Sequence, residues 1–231
     1  MKTIGLIGGM SWESSQEYYR IINETARERL GGLHSARSLM FSFDFAEIEE
    51  LQHAGNWDEA TRRMVGAAQN LEKGGADFLL ICTNTMHKMA KEVQAGVEIP
   101  LLHIADPTGQ AIKAQGIAKI ALLGTKYTME HDFYKGRLQS EFGLEIIVPD
   151  EADRQTVHDV IYDELCVGVV KDESKQKYQQ IIERLKTQGA EGVILGCTEI
   201  TLLIQQADTD LPVFDTTRIH AEAAVDLALQ Q

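Results

Sequence analysis

Residues 75 to 88 read GADFLLICTNTMHK, in which an apolar run ends abruptly in small polar side chains. The run from Phe78 to Ile81 has no polar residue, which is typical of a strand buried on both faces of a parallel sheet. Cys82 to Thr85 then supplies a thiol, two hydroxyls and an amide. Ligands of open α/β sheets bind just beyond the carboxyl ends of strands. The stretch therefore predicts a buried strand that leads into a functional turn.

Similar short apolar runs alternate with longer amphipathic segments along the whole chain. The strand candidates are Lys2–Ile7, Ser38–Phe43, Asp77–Ile81, Leu101–Ile104, Lys119–Leu123, Leu144–Val148, Gly192–Leu195 and Pro212–Phe214. Helical periodicity over 13–30 and 59–73 ends at Gly-Gly pairs, and glycine commonly follows the last residue of a helix. We therefore predict an α/β protein with mainly parallel sheets flanked by helices.

The two halves of the chain resemble each other. GAD at 75 and GAE at 189 both precede an apolar run, at an offset of 189 − 75 = 114. IGLIGG at 4 matches IALLGT at 120 with an offset of 116, and IPLLHIAD at 99 matches LPVFDTTR at 211 with an offset of 112. We predict two pseudo-symmetric lobes. The N-terminal lobe spans 1–106 and is completed by a helix over 217–231, and the C-terminal lobe spans 107–216.

The repeat pairs Thr83 with Cys197 and places Cys82 opposite a glycine. Cys82 is expected to be a small buried residue at the end of its strand. Cys197 is expected to open a helix that continues to Gln205. Because a helix N-terminus lowers the pKa of a thiol, we expect a reactive thiol there. Its free N–H groups could also hold a carboxylate.

Composition and charge limit the classes of function. A net charge of −13 and a pI near 5.0 argue against nucleic acid as a partner. The three cysteines suit a reducing cytoplasm, and none of them has metal-ligand spacing, so no metal site is expected. The N-terminal apolar run is too short for a signal peptide or a membrane span, and we expect a cytoplasmic protein without membrane contacts.

Several blocks in this order resemble the aspartate/glutamate racemase family. They are GLIGGMSWES, TNTMH, PLLHIAD, ALLGTKYTM, IYDELCVG, GCTEI and PVFDTTRIHAE. The resemblance implies a cofactor-independent amino-acid racemase that uses neither pyridoxal phosphate nor metal. It also implies a homodimer whose site lies in a cleft between two lobes. In such enzymes two cysteines flank the α-carbon, one removing a proton and the other delivering one to the opposite face.

The resemblance assigns roles position by position. Cys197 matches the second catalytic cysteine, and Thr83 stands where the first one is found. The expected substrate-binding residues are Met10, Gln52, Asn84, Thr85, Thr125, Thr128, Thr198 and Glu199. The implied substrate is aspartate or glutamate, with the L-enantiomer favoured because only the second-lobe cysteine is kept.

The chain departs from the family pattern at three places. The first-lobe motif has Thr83 where the family has cysteine, and the thiol of Cys82 is one residue early, which points it to the other face of the strand. The family arginine is missing from FAEIEELQHAG, which offers Gln52 instead. Cys166 replaces the lysine of the IYExxKxG pattern. The sequence therefore leaves open which residues hold the distal carboxylate.

Two other functions stay open at this point. Folds of this kind with a single cysteine can decarboxylate or isomerise a dicarboxylate, which would fit one thiol and one hydroxyl. A protein that has lost one base could also bind an amino acid without reacting.

Overall fold

Seven of the eight predicted apolar runs form strands in two parallel sheets. A computed structural model describes residues 1–230, and Gln231, the last residue of the predicted final helix, lies outside the described residues. The chain divides into two units, Met1–Ile104 with the chain from His220 onward, and Ala105–Ile219. Both sheets are flanked by helices, which confirms the predicted α/β class.

The first unit contains a sheet in the order β2-β1-β3 with all pairs parallel. Its strands are β1 (Ile4–Gly8), β2 (Ser38–Ser42) and β3 (Phe78–Ile81). Its helices are α1 (Trp12–Leu30), α2 (Phe45–His53), α3 (Trp57–Lys73) and α4 (Ala90–Ala95), with a 3-10 helix at Thr85–Met89. The predicted helices over 13–30 and 59–73 thus begin one or two residues earlier than expected and end at the predicted residues.

Strand periodicity divides the core of the first unit into two apolar clusters. Leu79 and Ile81 pack on the side of α2 and α3. Phe78, Leu80 and Cys82 pack on the opposite side with α1 and with Ala221, Ala224, Val225 and Ala228 of the last helix. The thiol of Cys82 is fully buried in this second cluster, as predicted, whereas Thr83 is partly exposed.

The second unit contains a sheet in the order β5-β4-β6-β7, again all parallel. Its strands are β4 (Lys119–Gly124), β5 (Glu145–Ile147), β6 (Val193–Gly196) and β7 (Val213–Asp215). Its helices are α5 (Ala105–Ala114), α6 (Lys126–Glu130), α7 (Asp132–Phe142), α8 (Glu151–Asp163) and α9 (Asp172–Thr187), with 3-10 helices at Leu165–Val167, Thr198–Leu202 and Gln206–Asp208. The last helix, α10 (Thr216–Leu229), begins in this unit and continues into the first.

The predicted strand Leu101–Ile104 is wrong. Only Leu101 pairs, as an isolated parallel bridge to Leu79. Leu102 still donates its N–H to the Leu79 carbonyl at 2.9 Å. The N–H of Ile104 is instead taken by the ring of His87 at 3.2 Å, so the sheet ladder cannot continue.

Strand register supports the internal repeat independently of sequence similarity. Ile7 pairs with Ile81 in the first sheet, and Leu123 pairs with Leu195 in the second. The bridge from Leu79 to Leu101 corresponds in the same way to the pairing of Val193 with Val213. These pairs differ by the offsets of 116, 114 and 112 found in the sequence. Among residues 1–230, no helix has the length and apolar character needed to cross a membrane.

Candidate active site in two parts

The first part of the candidate site is the turn that follows β3. The Cys82 N–H donates to the Ile7 carbonyl at 2.9 Å, which extends the pairing of β3 with β1 by one residue. The Ser14 hydroxyl in the first turn of α1 donates to the Cys82 carbonyl at 2.8 Å. Thr83 comes next and is partly exposed, whereas Asn84 and Thr85 are buried. The hydrogen bond from Ser14 of α1 therefore fixes the backbone directly before Thr83.

His87 holds the same turn from its other side. Its side chain is buried, with 2% of its surface exposed. Its Nδ1 lies 2.8 Å from the Thr83 carbonyl oxygen. The ring also contacts the rings of His103 and His220, at centroid distances of 4.6 and 5.8 Å. His87 is therefore part of a buried histidine cluster beneath the motif.

Gln52 and Met10 lie next to this turn in the first unit. The Gln52 amide is buried and donates from Nε2 to the sulfur of Met86 at 3.1 Å. Met10 follows β1 and packs in the apolar cluster that also holds Met86. Both residues therefore adjoin the 3-10 helix Thr85–Met89, and both are at most 5% exposed.

The second part of the candidate site lies at the carboxyl ends of β4 and β6. Gly124 and Gly196 are paired there, so the residues that follow them, Thr125 and Cys197, come from adjacent strand ends. The two strands approach closely, and a Cβ on Gly196 would lie 3.0 Å from the Leu123 carbonyl oxygen. Glycine at 196 therefore permits the strand contact on which the position of Cys197 depends.

Thr125 begins helix α6 as its N-cap. Its hydroxyl accepts the Thr128 N–H at 3.3 Å, and the hydroxyls of the two threonines are 3.2 Å apart. The Thr128 side chain has no exposed surface, whereas Thr125 keeps a small exposed fraction. The contacts with the Thr128 N–H and hydroxyl thus restrict the side-chain rotamer of Thr125.

Cys197 is followed by a short 3-10 helix, Thr198–Leu202, and not by the predicted α-helix that continues to Gln205. The Ile200 N–H bonds to the Cys197 carbonyl at 3.2 Å, and the Thr201 hydroxyl bonds to the Thr198 carbonyl at 2.7 Å. These contacts close the backbone into i to i+3 turns. Five residues of 3-10 helix give little macrodipole, so this element cannot stabilise a thiolate as a longer helix would.

The chemical surroundings of Cys197 raise the pKa of its thiol well above the ordinary range. Burial is the largest cause, and the negative charge of Glu199 is the next. The Cys197 Sγ donates to Oε2 of Glu199 at 2.9 Å, and that carboxylate is itself buried. The expectation of a lowered thiol pKa was therefore wrong, because the neighbouring carboxylate and burial outweigh the helix end. The structure presents a thiol of raised pKa whose Sγ lies within hydrogen-bond distance of a carboxylate oxygen.

The start of α10 closes the second part of the site. The Thr216 hydroxyl donates to the Leu195 carbonyl at 2.9 Å. The hydroxyls of Thr217 and Thr198 are 3.0 Å apart. The loop after β6 is therefore fixed to the TTR segment that follows β7.

The structure groups the sequence-derived candidates by unit. Met10, Gln52, Thr83, Asn84 and Thr85 lie in the first unit, and Thr125, Thr128, Cys197, Thr198 and Glu199 lie in the second. Sequence reasoning missed Ser14 and Thr216, whose hydroxyls bond to strand-end carbonyls. Serines and threonines in the first turn of a helix that follows a strand were the available signal.

Within residues 1–230, no group of three or more histidine, cysteine or acidic side chains is arranged to hold a metal ion.

Comparison with known proteins gives a consistent result. The model of the Asp/Glu/hydantoin racemase family matches residues 7–224. A candidate Asp/Glu racemase of known crystal structure from Yersinia pestis is 53% identical over 100% of both chains, with a TM-score of 0.94. An aspartate racemase homologue from Pyrococcus horikoshii OT3 is 35% identical over 100% of both chains, with a TM-score of 0.87. The broad-specificity amino-acid racemase RacX of Bacillus subtilis strain 168 is 27% identical over 175 residues, 74% of each chain.

Two α/β units with polar turns at their strand ends, together with these matches, place the protein among the isomerases. The chain belongs to the Asp/Glu/hydantoin racemase family. The resemblance drawn from its sequence motifs is thereby confirmed.

Proposed function

We propose that the protein racemises an acidic amino acid, aspartate or glutamate, with Cys197 on one face of the α-carbon and Thr83 on the other. The observation that carries this proposal is the thiol of Cys197 bonded at 2.9 Å to the buried carboxylate of Glu199. A thiol with an adjacent proton acceptor at a strand end is a group that can both donate and accept a proton.

The repeat supports the assignment of Thr83 as the opposite group. Thr83 stands two residues after Ile81, and Cys197 stands two residues after Leu195. Ile81 and Leu195 occupy equivalent places in the registers of their sheets. Each of the two residues is partly exposed, although most of their neighbours are buried. Two equivalent positions, one from each unit, suit a reaction that needs proton transfer on two faces.

In the proposed reaction from the L-enantiomer, the Cys197 thiol first loses its proton to solvent, and the thiolate that this leaves takes the α-proton. The electron pair of the broken C–H bond stays on the α-carbon and its carboxylate. A proton then reaches the opposite face from the Thr83 hydroxyl, or from a water bonded to it. Solvent restores that proton, and Cys197 is again the thiol from which the reaction began. The transfers are assigned to Cys197 and to Thr83 or the water bonded to it, and no cofactor is invoked.

We assign substrate binding to polar groups near these two residues. They are Asn84, Thr85, Thr125, Thr198 and Glu199. Gln52 replaces the cation that family members present to the distal carboxylate, so a neutral amide donor takes over that role. We also assign Met10 and Thr128 to the substrate-binding residues, since Met10 follows β1 and Thr128 bonds to Thr125.

The preference for L follows from the difference between the two groups. A hydroxyl is a far weaker acid than a thiol, so removal of a proton by Thr83 is the slower direction. The equilibrium between enantiomers cannot change, and the preference is expressed as faster α-proton exchange in L-amino acids than in their D-enantiomers.

Proton NMR in deuterated water tests the proposal with a panel of L- and D-amino acids. We expect loss of the α-proton signal in L-aspartate or L-glutamate with the native protein, and no loss with C197A. T187A is the control, because it removes an exposed hydroxyl from the end of α9 in the same unit, where the hydroxyl bonds to the Arg184 carbonyl at 2.7 Å. If no amino acid exchanges, or if C197A exchanges as fast as the native protein, the proposal is wrong.

The same experiment separates the alternative functions. Release of carbon dioxide from a substituted malonate would indicate a decarboxylase, and tight binding without exchange would indicate a binding protein. We further propose that the enzyme acts as a homodimer in the cytoplasm, where its three free cysteines stay reduced. Light scattering at working concentration measures the oligomeric state directly.

A further inference from the structure

The hydrogen bonds of His87 determine the protonation state of its ring. The Ile104 main-chain nitrogen can only donate, and it lies 3.2 Å from Nε2. Nε2 must therefore be the acceptor, so the ring is neutral and Nδ1 carries the hydrogen. Nδ1 lies 2.8 Å from the Thr83 carbonyl oxygen, which can only accept. Both bonds are satisfied by one tautomer, in a ring that is buried.

These bonds fix the peptide group that joins Thr83 to Asn84. The Nδ1–H of His87 holds the carbonyl of that peptide, and the Ser14 hydroxyl holds the carbonyl of the preceding one at 2.8 Å. Thr83 thus lies between two peptide groups, each oriented by a buried side chain. A residue with both flanking peptides fixed has little freedom in φ and ψ, and the direction of its Cα–Cβ bond is fixed with them.

We propose that His87 is a positioning residue for proton transfer on the Thr83 face, acting through the Nδ1–H bond to the Thr83 carbonyl. The inference rests on the proposed function, because it requires that Thr83 serve that face. A hydroxyl that delivers or relays a proton must be held close to the α-carbon, and a displacement of about 1 Å can reduce a rate by about 100-fold. The ring supplies that restraint without contacting the substrate.

Two amide replacements separate the bonds of His87. The amide nitrogen of asparagine takes the place of Nδ1, so H87N can still donate to the Thr83 carbonyl. The amide of glutamine reaches the place of Nε2, so H87Q can accept from Ile104 but leaves the Thr83 carbonyl without this donor. Tyr18→Phe is the control within the same cluster, since the Tyr18 hydroxyl bonds to Nδ1 of His220 at 2.8 Å.

The measurement is the ratio of inverted product to deuterium-labelled substrate when an L-amino acid reacts in deuterated water. Exchange without inversion needs only the Cys197 face, whereas inversion needs both faces. We expect H87Q to lower this ratio by about tenfold or more. H87N should stay within about threefold of the native ratio, since the restraining bond is kept. Y18F should lower the unfolding temperature and leave the ratio unchanged.

Equal ratios in H87N and H87Q, whether both low or both native, overturn the positioning role. A native protein that exchanges no amino acid refutes the proposed function itself, so the two failures are distinguishable. If neither variant folds, 15N NMR of the native protein decides the question through the tautomer of His87. The Nδ1–H form is expected, and the Nε2–H form overturns the proposal because it cannot donate to the Thr83 carbonyl.

Discussion

Replacing Glu199 by glutamine changes the chemistry of Cys197 in a direction that the structure specifies. The amide oxygen can still accept from the thiol, but the negative charge 2.9 Å from Sγ is removed. That charge is, after burial, the main reason why the pKa of the thiol is raised. Two unit charges at this distance repel by more than about 1 kcal/mol even with the dielectric constant of water. We expect the pKa to fall and the thiolate fraction near neutral pH to rise by roughly tenfold.

Alkylation by iodoacetamide, followed by mass spectrometry of the peptide that contains Cys197, measures this change across a range of pH. The alkylation rate of Cys197 in E199Q should begin to rise at a lower pH than in the native protein. The pH at which α-proton exchange from the L-amino acid begins to rise should also be lower. Glu145→Gln is the matched control, because its exposed carboxylate pairs with Lys119 at 2.9 Å and its loss changes net charge equally. An unchanged alkylation profile in E199Q, or an equal shift in E145Q, would refute the role of Glu199.

Two other predictions concern Thr83 and His220. Thr83→Cys restores a thiol on the first face, so steady-state racemisation should speed up and the preference for L should weaken, and unchanged kinetics from both enantiomers would contradict the assignment. The pKa of His220 is held well below 6.5, chiefly by burial. On acidification, His220 is therefore protonated at a higher pH in the unfolded chain than in the folded protein. The free energy of unfolding should then decrease as the pH falls below 6.5. The free energy of unfolding, measured by urea titration at several pH values, should fall by up to about 1.4 kcal/mol for each pH unit below 6.5. H220Q should remove this dependence on pH, and an equal dependence in H220Q and the native protein would contradict the prediction.

Local chemistry was enough to predict most of the secondary structure. Helices α1 and α3 end where the Gly-Gly pairs indicated, because glycine takes the conformation that stops a helix. The burial of Cys82 followed from the two-residue period of a strand. The offsets of the repeat agree with the registers of the two sheets, because the same hydrophobic pattern specifies the same pairing in each.

Other features depend on contacts that local patterns do not contain. Leu101 to Ile104 reads as a strand, yet the Ile104 N–H is taken by His87, which is 17 residues away in the sequence. The apparent helix after Cys197 is short because its backbone closes in i to i+3 turns. The direction of the thiol pKa depends on burial, which only the folded chain reveals, although the nearby Glu199 was visible in the sequence.

The division of the chain also sets an order of folding during synthesis. The second unit is continuous from Ala105 to Ile219, so all of its residues are synthesised before the part of α10 that packs on the first unit. The first unit needs Ala221, Val225 and their neighbours on α10 to cover one side of its sheet. In a nascent chain, the sheet of the first unit therefore keeps an exposed apolar face until α10 has been synthesised. Loss of the final helix would leave that surface exposed to aggregation, even though β1, β2 and β3 were all present.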